Sequence, residues 1–237
     1  MEIFDAHVHI CTDNFDEAYA ELTALGIRKV ISAPMVGTLA GSVEELLQGN
    51  RDALECYDAH PDFYYPGVIV HPAYQKESMA ALQEFTERGL KWAGEWCSYK
   101  SGIDFDRPEW EPYFRYCCDN GMIVQMHNHE ATAVIAARYP QLTIVGSHLN
   151  PQVLPLLTEY ENVFIDISGM HGGLVRKTLI EAEKLFGTDR LLFGTDYPGY
   201  DAQPFIVRCQ KYYSEKQCED VFSGNLRKIM KKHEVDF

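Results

Sequence analysis

Eight apolar runs recur along the chain, each alternating or nearly continuous in hydrophobicity, as buried β-strands are. They cover 2–10 (EIFDAHVHI), 28–35 (RKVISAPM), 63–72 (FYYPGVIVHP) and 90–99 (LKWAGEWCSY), then 122–129 (MIVQMHNH), 142–150 (LTIVGSHLN), 162–170 (NVFIDISGM) and 190–198 (RLLFGTDYP). Between them lie stretches of helical period, among them DEAYAELTALG, SVEELLQGNRDALECYDAH, SMAALQEFTERG and GGLVRKTLIEAEKLFG. Gly26, Gly89, Gly121 and Gly187 stand just before the next strand, where helices commonly stop. Strands alternating with helices at roughly 20–35-residue spacings predict an α/β fold, a (β/α)8 TIM barrel, as one domain over 1–237. A doubly wound open sheet fits less well, because no GxGxxG phosphate loop follows the first strand. The tail CEDVFSGNLRKIMKKHEVDF reads as a final amphipathic helix closing one end of the barrel.

Polar residues interrupt these strands at particular places. Residues i and i+2 of a strand share a face, about 6.6 Å apart. In the first strand Phe4, Ala6, Val8 and Ile10 form an apolar face suited to lie under helices. The other face carries Ile3, Asp5, His7 and His9 and would look into the barrel. His7 and His9 lie at the C-terminal end of the strand, the rim on which barrel active sites form. Two imidazoles so spaced can reach one metal ion at about 2.0–2.1 Å. Glu95, His127, His148 and Asp196 likewise end otherwise apolar strands, where an ionisable group is costly unless paired or coordinated. Gly146 and Gly194 precede His148 and Asp196 by two residues and would leave space beneath them. A structural ion pair could explain Glu95 or Asp196 alone, but explains the whole set poorly.

With these pieces in order (DAHVHI, VQMHNH, IVGSHLN, LLFGTDYP and the late FSGNLRKIM), the chain resembles the amidohydrolase superfamily of metal-dependent hydrolases. The nearest pattern is the amidohydrolase-2 branch, which contains aminocarboxymuconate semialdehyde decarboxylase and related small-acid hydrolases. The resemblance implies that His7, His9, His127 and Asp196 bind metal, and that His148 acts on substrate or binds a second metal. Glu95 departs from that branch and is similar to the fourth-strand glutamate of TatD-type deoxyribonucleases. No lysine stands where a carboxylated lysine could bridge two ions, so Glu95 would be the bridge. The expected cofactor is one or two divalent ions, zinc first, with manganese or iron also compatible with nitrogen and oxygen donors. A metal-activated water would attack a carbonyl centre of a lactone, amide or ester, with Asp196 as base and His148 polarising the substrate. A non-oxidative decarboxylase and a TatD-like phosphodiesterase are the alternatives, and an inactive metal-binding barrel the non-catalytic one.

Charge narrows the partners. The 237 residues carry 21 Lys and Arg against 35 Asp and Glu, a formal net charge of −14. So acidic a surface repels phosphate backbones and favours a small-molecule substrate over nucleic acid. No 18-residue apolar run and no basic, apolar leader is present, so no membrane span and a cytoplasmic location are expected. The cysteines Cys11, Cys56, Cys97, Cys117, Cys118, Cys209 and Cys218 are odd in number and lack a CxxC pair, which suggests reduced thiols. For a carboxylate-bearing substrate, His171, Arg176, Lys100 and Arg107 are the candidate cations, with the loop SGMHGGLVRK the candidate anion cradle. Asp166 and Ser168 are either partners that orient a metal-bound imidazole or simple loop-entry groups. His129 and His71 read as rim residues and Cys97 as an unreactive neighbour of Glu95. A homo-oligomer is compatible with the sequence.

Overall fold

A computed structural model of the chain describes residues 1–169 and 174–237. Eight parallel strands run β1 (Ile3–Val8), β2 (Ile27–Ser32), β3 (Tyr64–Pro66), β4 (Trp92–Trp96), β5 (Ile123–His127), β6 (Thr143–Ser147), β7 (Val163–Asp166) and β8 (Leu191–Leu192). Hydrogen bonds join β1-β2-β3 into one sheet and β4-β5-β6-β7-β8 into another. Both seams between these sheets are bridged. The Val68 amide donates to Trp92 O at 3.0 Å, and Gly94 N donates back to Val68 O at 2.8 Å. On the other side Ala6 N donates to Phe193 O (2.9 Å), Asp196 N to His7 O (2.8 Å) and His9 N to Tyr197 O (2.7 Å). The strand order is therefore the circular one of a (β/α)8 barrel.

The strands are shorter than the apolar runs that announce them. Tyr64–Pro66 pair with β2, whereas Val68 already pairs with β4, so one run serves two neighbours and is not one continuous strand. Helices Phe15–Ala24, Val43–Ala59, Gln75–Glu87, Glu111–Asp119, Ala131–Arg138 and Arg176–Phe186 lie between successive strands, and Ala202–Tyr212 follows β8. Their apolar faces pack against the strands in a core that runs around the barrel and includes Trp96, Phe114 and Phe205. The tail packs as expected: helix Asn225–Lys232 lies by the N-terminal strand ends, with Phe237 edge-on to Phe4 at 5.4 Å and Asn225 Nδ2 donating to Thr188 O and Leu191 O. That end is sealed, which leaves the C-terminal rim open. No helix among the described residues is long and apolar enough to cross a membrane.

Candidate metal centre

Strand geometry carries the polar residues of five strands to one rim. His7 Nε2 lies 3.3 Å from His9 Nε2, 3.5 Å from Glu95 Oε2 and 3.8 Å from Asp196 Oδ1. His9 Nε2 lies 3.1 Å from Asp196 Oδ1 and 3.9 Å from Glu95 Oε2. Four donors placed 2.0–2.1 Å from one ion at tetrahedral angles would be roughly 3.3–3.4 Å apart. The donor set thus fits a divalent cation. The other oxygen of Glu95 faces a second pair, with His127 Nδ1 at 3.2 Å and His148 Nε2 at 3.6 Å. Glu95 therefore lies between the two groups, with His7, His9 and Asp196 around one oxygen and His127 and His148 beside the other.

The chain also fixes which nitrogen faces the cluster. His9 Nδ1 donates to the Ala33 carbonyl at 2.7 Å, and His7 Nδ1 donates to Asp166 Oδ2 at 2.9 Å, so each turns Nε2 inward. Ser168 Oγ donates to Asp166 Oδ1, leaving the hydroxyl to accept from His148 Nδ1 at 2.8 Å. Gln125 Nε2 binds Asp166 Oδ2 at 2.9 Å, and its Oε1 accepts from Trp92 Nε1 at 3.0 Å. Asp166 and Ser168 are thus partners of the imidazoles rather than loop-entry groups. Sequence reading missed Gln125 and the Ala33 carbonyl. Gln125 was signalled by a lone amide inside MIVQMH on the face of His127; a backbone carbonyl leaves no mark in the sequence.

Electrostatics follow from this burial. Among the described residues no Lys or Arg pairs with Glu95, Asp166 or Asp196. Burial disfavours the His7 imidazolium, yet Asp166 and Glu95 outweigh it and hold its pKa well above the ordinary value. Burial likewise opposes the Glu95 carboxylate, but His7, His127 and His148 hold its pKa well below the usual range. For His148 burial wins, and its pKa is depressed. Burial and the charge of Glu95 push the Cys97 thiol well up, which leaves it a protonated donor 3.5 Å from Glu95 Oε2.

Backbone details make room for these groups. His148 and Asp196 both sit at φ 69°, a left-handed conformation uncommon for such residues and frequent at functional sites. A Cβ on Gly194 would sit 3.1–3.3 Å from the Cβ atoms of His7, Asp166 and Ser168, so this glycine makes room for those three rather than for Asp196. Gly146 does not serve His148; it makes room for Ile165 and Asn128. The glycine that His148 needs is Gly169, at φ +69°, where a Cβ would lie 2.6 Å from His148 Nδ1. Gly169→Ala should displace His148 and lower the unfolding free energy by about 1–2 kcal/mol, measurable by urea denaturation.

Above the cluster opens a cavity of about 340 Å³, with Met35, Leu39, Tyr99 and Tyr200 on its walls and His9, Glu95, His127, His148 and Asp196 at its base. Neither Lys100 nor Arg176 reaches it. Lys100 is exposed beside the Tyr99 ring, and the Arg176 guanidinium lies over Tyr212 at 5.4 Å. Arg107 is exposed next to Asp106. His171, with Gly172 and Gly173, falls outside the described residues.

The sequence profile of the family described as Amidohydrolase matches residues 5–229. The chain belongs to this amidohydrolase family. No curated protein sequence gives a match. Solved structures share the fold at low identity. A TIM-barrel protein from Bordetella bronchiseptica is 19% identical with a TM-score of 0.78, over 99% of this chain and 100% of that one. A 2,6-dihydroxybenzoate decarboxylase in complex with 2,6-dihydroxybenzoate is 16% identical with a TM-score of 0.77, over 98% and 99%. A 5-carboxyvanillate decarboxylase from Novosphingobium aromaticivorans, in complex with manganese and 4-hydroxy-3-methoxy-5-nitrobenzoic acid, is 17% identical with a TM-score of 0.74, over 91% and 79%. These likenesses establish the barrel, and the family membership makes the chain an enzyme of the amidohydrolase type.

Proposed function

We propose that the chain is a divalent-metal-dependent, non-oxidative decarboxylase of a small hydroxylated aromatic carboxylate. The observation that carries this reading is the cavity. It is sized for one ring, its walls combine Met35, Leu39, Tyr99 and Tyr200 with the polar Thr38, Asn128, Ser147 and Asn150, its base is a set of metal donors, and its described lining holds no Lys or Arg. Among the described residues no lysine or arginine would neutralise a substrate carboxylate there, a role a bound cation would fill. Two of the three neighbours above act on such acids, and one was solved with manganese, which supports manganese ahead of zinc as the first metal to test.

His7, His9, Glu95 and Asp196 would hold the ion, with His127 and His148 at the far oxygen of Glu95. When bound, the ion supplies charge neutralisation and Lewis acidity for the carboxylate and an adjacent oxygen. The chain's own residues do the rest. The carbon–carbon bond breaks, carbon dioxide leaves, and the electron pair stays on the ring carbon, which then takes one proton. Asp196, partly exposed at the cavity edge, carries that proton from solvent. His148, kept largely neutral by burial and held at Nδ1 by Ser168, offers Nε2 to a ring hydroxyl. Met35, Leu39, Tyr99 and Tyr200 hold the ring and exclude water.

Hydrolysis of a lactone, amide or ester is the second reading. It is favoured by the two oxygens of Glu95 facing two donor sets, as a two-ion hydrolytic site requires. One experiment separates them. Manganese-loaded protein in D2O should release carbon dioxide from 2,6-dihydroxybenzoate or 5-carboxyvanillate and place one deuterium on the vacated ring carbon. Solvent ¹⁸O entering a lactone or amide product, with no carbon dioxide from the acids, would overturn the decarboxylase reading.

Metal uptake should also depend on pH. His7 in the metal-free protein holds its extra proton well above the ordinary imidazole pKa, and a metal ion at Nε2 must displace it. Manganese affinity should therefore fall as pH falls, by up to about tenfold per unit for one displaced proton. Calorimetry in buffers of different ionisation enthalpy would read the proton release directly.

A further inference from the structure

A second cavity of about 570 Å³ opens on the same rim and shares two wall residues, His9 and Met35, with the cavity over the metal centre. It is built by the segments after β1, β2 and β8 (Thr12, Asn14, Val36, Pro198) and by Gln48 and Asp52 of helix Val43–Ala59. Asp52 is only 7% exposed. Its Oδ1 accepts from Gln48 Nε2 at 2.6 Å, while no hydrogen bond or ion pair engages its other oxygen among the described residues. That oxygen keeps solvent access, and Asp52 lines the cavity. The described lining contains the carboxylates of Asp13 and Asp52 and no Lys or Arg.

We infer that this cavity is a binding subsite for a cationic or hydrogen-bond-donating substituent on the substrate, held by Asp52 and reached past Met35. The inference rests on the proposed function only for the end of the molecule that reacts. A buried carboxylate with one unengaged oxygen selects ammonium or hydroxyl groups and repels a second carboxylate. Met35 is 38% exposed, unbranched and on the wall common to both cavities, so its rotamer sets how far a substituent passes from one to the other.

The test reads binding, not turnover, and so stands apart from the identity of the reaction. Manganese-loaded protein labelled with ¹³C at the methionine methyls is titrated with benzylamine, benzyl alcohol and benzoate. Benzylamine should shift the Met35 methyl resonance, assigned by Met35→Leu. Asp52→Asn should weaken its binding by about tenfold or more while changing benzyl alcohol little. Val36→Trp, at an exposed position of the cavity wall, should block both amine and alcohol without touching Asp52. Benzylamine that leaves Met35 unshifted, or binds Asp52→Asn as tightly as wild type, overturns the subsite. Failure to release carbon dioxide, with these shifts intact, would instead count against the decarboxylase reading alone.

Discussion

Replacing Asp166 with Ala is expected to lower the unfolding free energy of the metal-free protein by about 3–5 kcal/mol, close to the whole stability of a modest domain. The carboxylate is fully buried and accepts from five donors. His7 Nδ1 and Gln125 Nε2 reach Oδ2, while His148 N, Ser168 N and Ser168 Oγ reach Oδ1. Alanine removes the acceptor that all five share, although Gln125 Nε2 keeps Ala6 O and His7 Nδ1 keeps Ser168 Oγ within reach, and it leaves the His7 imidazolium facing only Glu95 and Asp196 among the described carboxylates. Burial opposes the Asp166 charge, but His7, His148 and Ser168 outweigh it and hold its pKa below the ordinary carboxylate value. A depressed carboxyl pKa gives stability that is present above the ordinary value and lost as pH falls below it. Urea unfolding of the two proteins should therefore differ most near neutrality, and the gap should shrink below about pH 4. A gap that is small at pH 7, or that grows with acid, would refute this account of the network.

Converting His9 to Ala should abolish metal binding yet leave the fold in place. Turnover should fall by about 10³-fold or more, since removing the ion forfeits several kcal/mol of charge stabilisation. Outside the donor cluster, the His9 imidazole makes one hydrogen bond, from Nδ1 to Ala33 O. His7 is different, because it also neutralises Asp166. His7→Ala should lose metal and stability together, whereas His9→Ala loses chiefly metal. Metal content after gel filtration, read beside thermal unfolding, checks both. A His9→Ala protein that keeps its metal would remove His9 from the ligand set.

How far the sequence reveals this arrangement depends on how each residue acts. The HxH pair and the carboxylates Glu95 and Asp196 are visible because an ionisable group ending an apolar strand violates the local pattern. The barrel is visible because eight such runs alternate with helices. Strand ends are not, since pairing switches from one neighbour to the next inside a single apolar run, as at Tyr64–Pro66 and Val68. The partition of donors around Glu95 is also hidden. Which oxygen meets which imidazole depends on the register of β4 against β5, which shifts between Ala93 and Trp96. Lys100 and Arg176 stand near strand ends in sequence, but neither lines the cavity: Lys100 lies exposed beside the Tyr99 ring, and Arg176 over Tyr212. Asp52, far from any strand end, gave no signal at all.

The seam between β8 and β1 has a temporal consequence. Asp5 accepts from Thr195 N and Thr195 Oγ1, and Asp196 N donates to His7 O, so the segments that close the barrel are also those that carry His7, His9 and Asp196. These partners lie 190 residues apart in the case of Asp5 and Thr195. A chain still emerging from the ribosome holds two histidines but neither the carboxylate opposite them nor the strand that buries them. His7, His9 and Glu95 can gather before β8 exists, but Asp196 joins them only after the last strand has docked on the first. With the ion held as proposed, tight metal retention would report that closure is complete, and a nascent or nicked chain lacking β8 should lose its ion more readily.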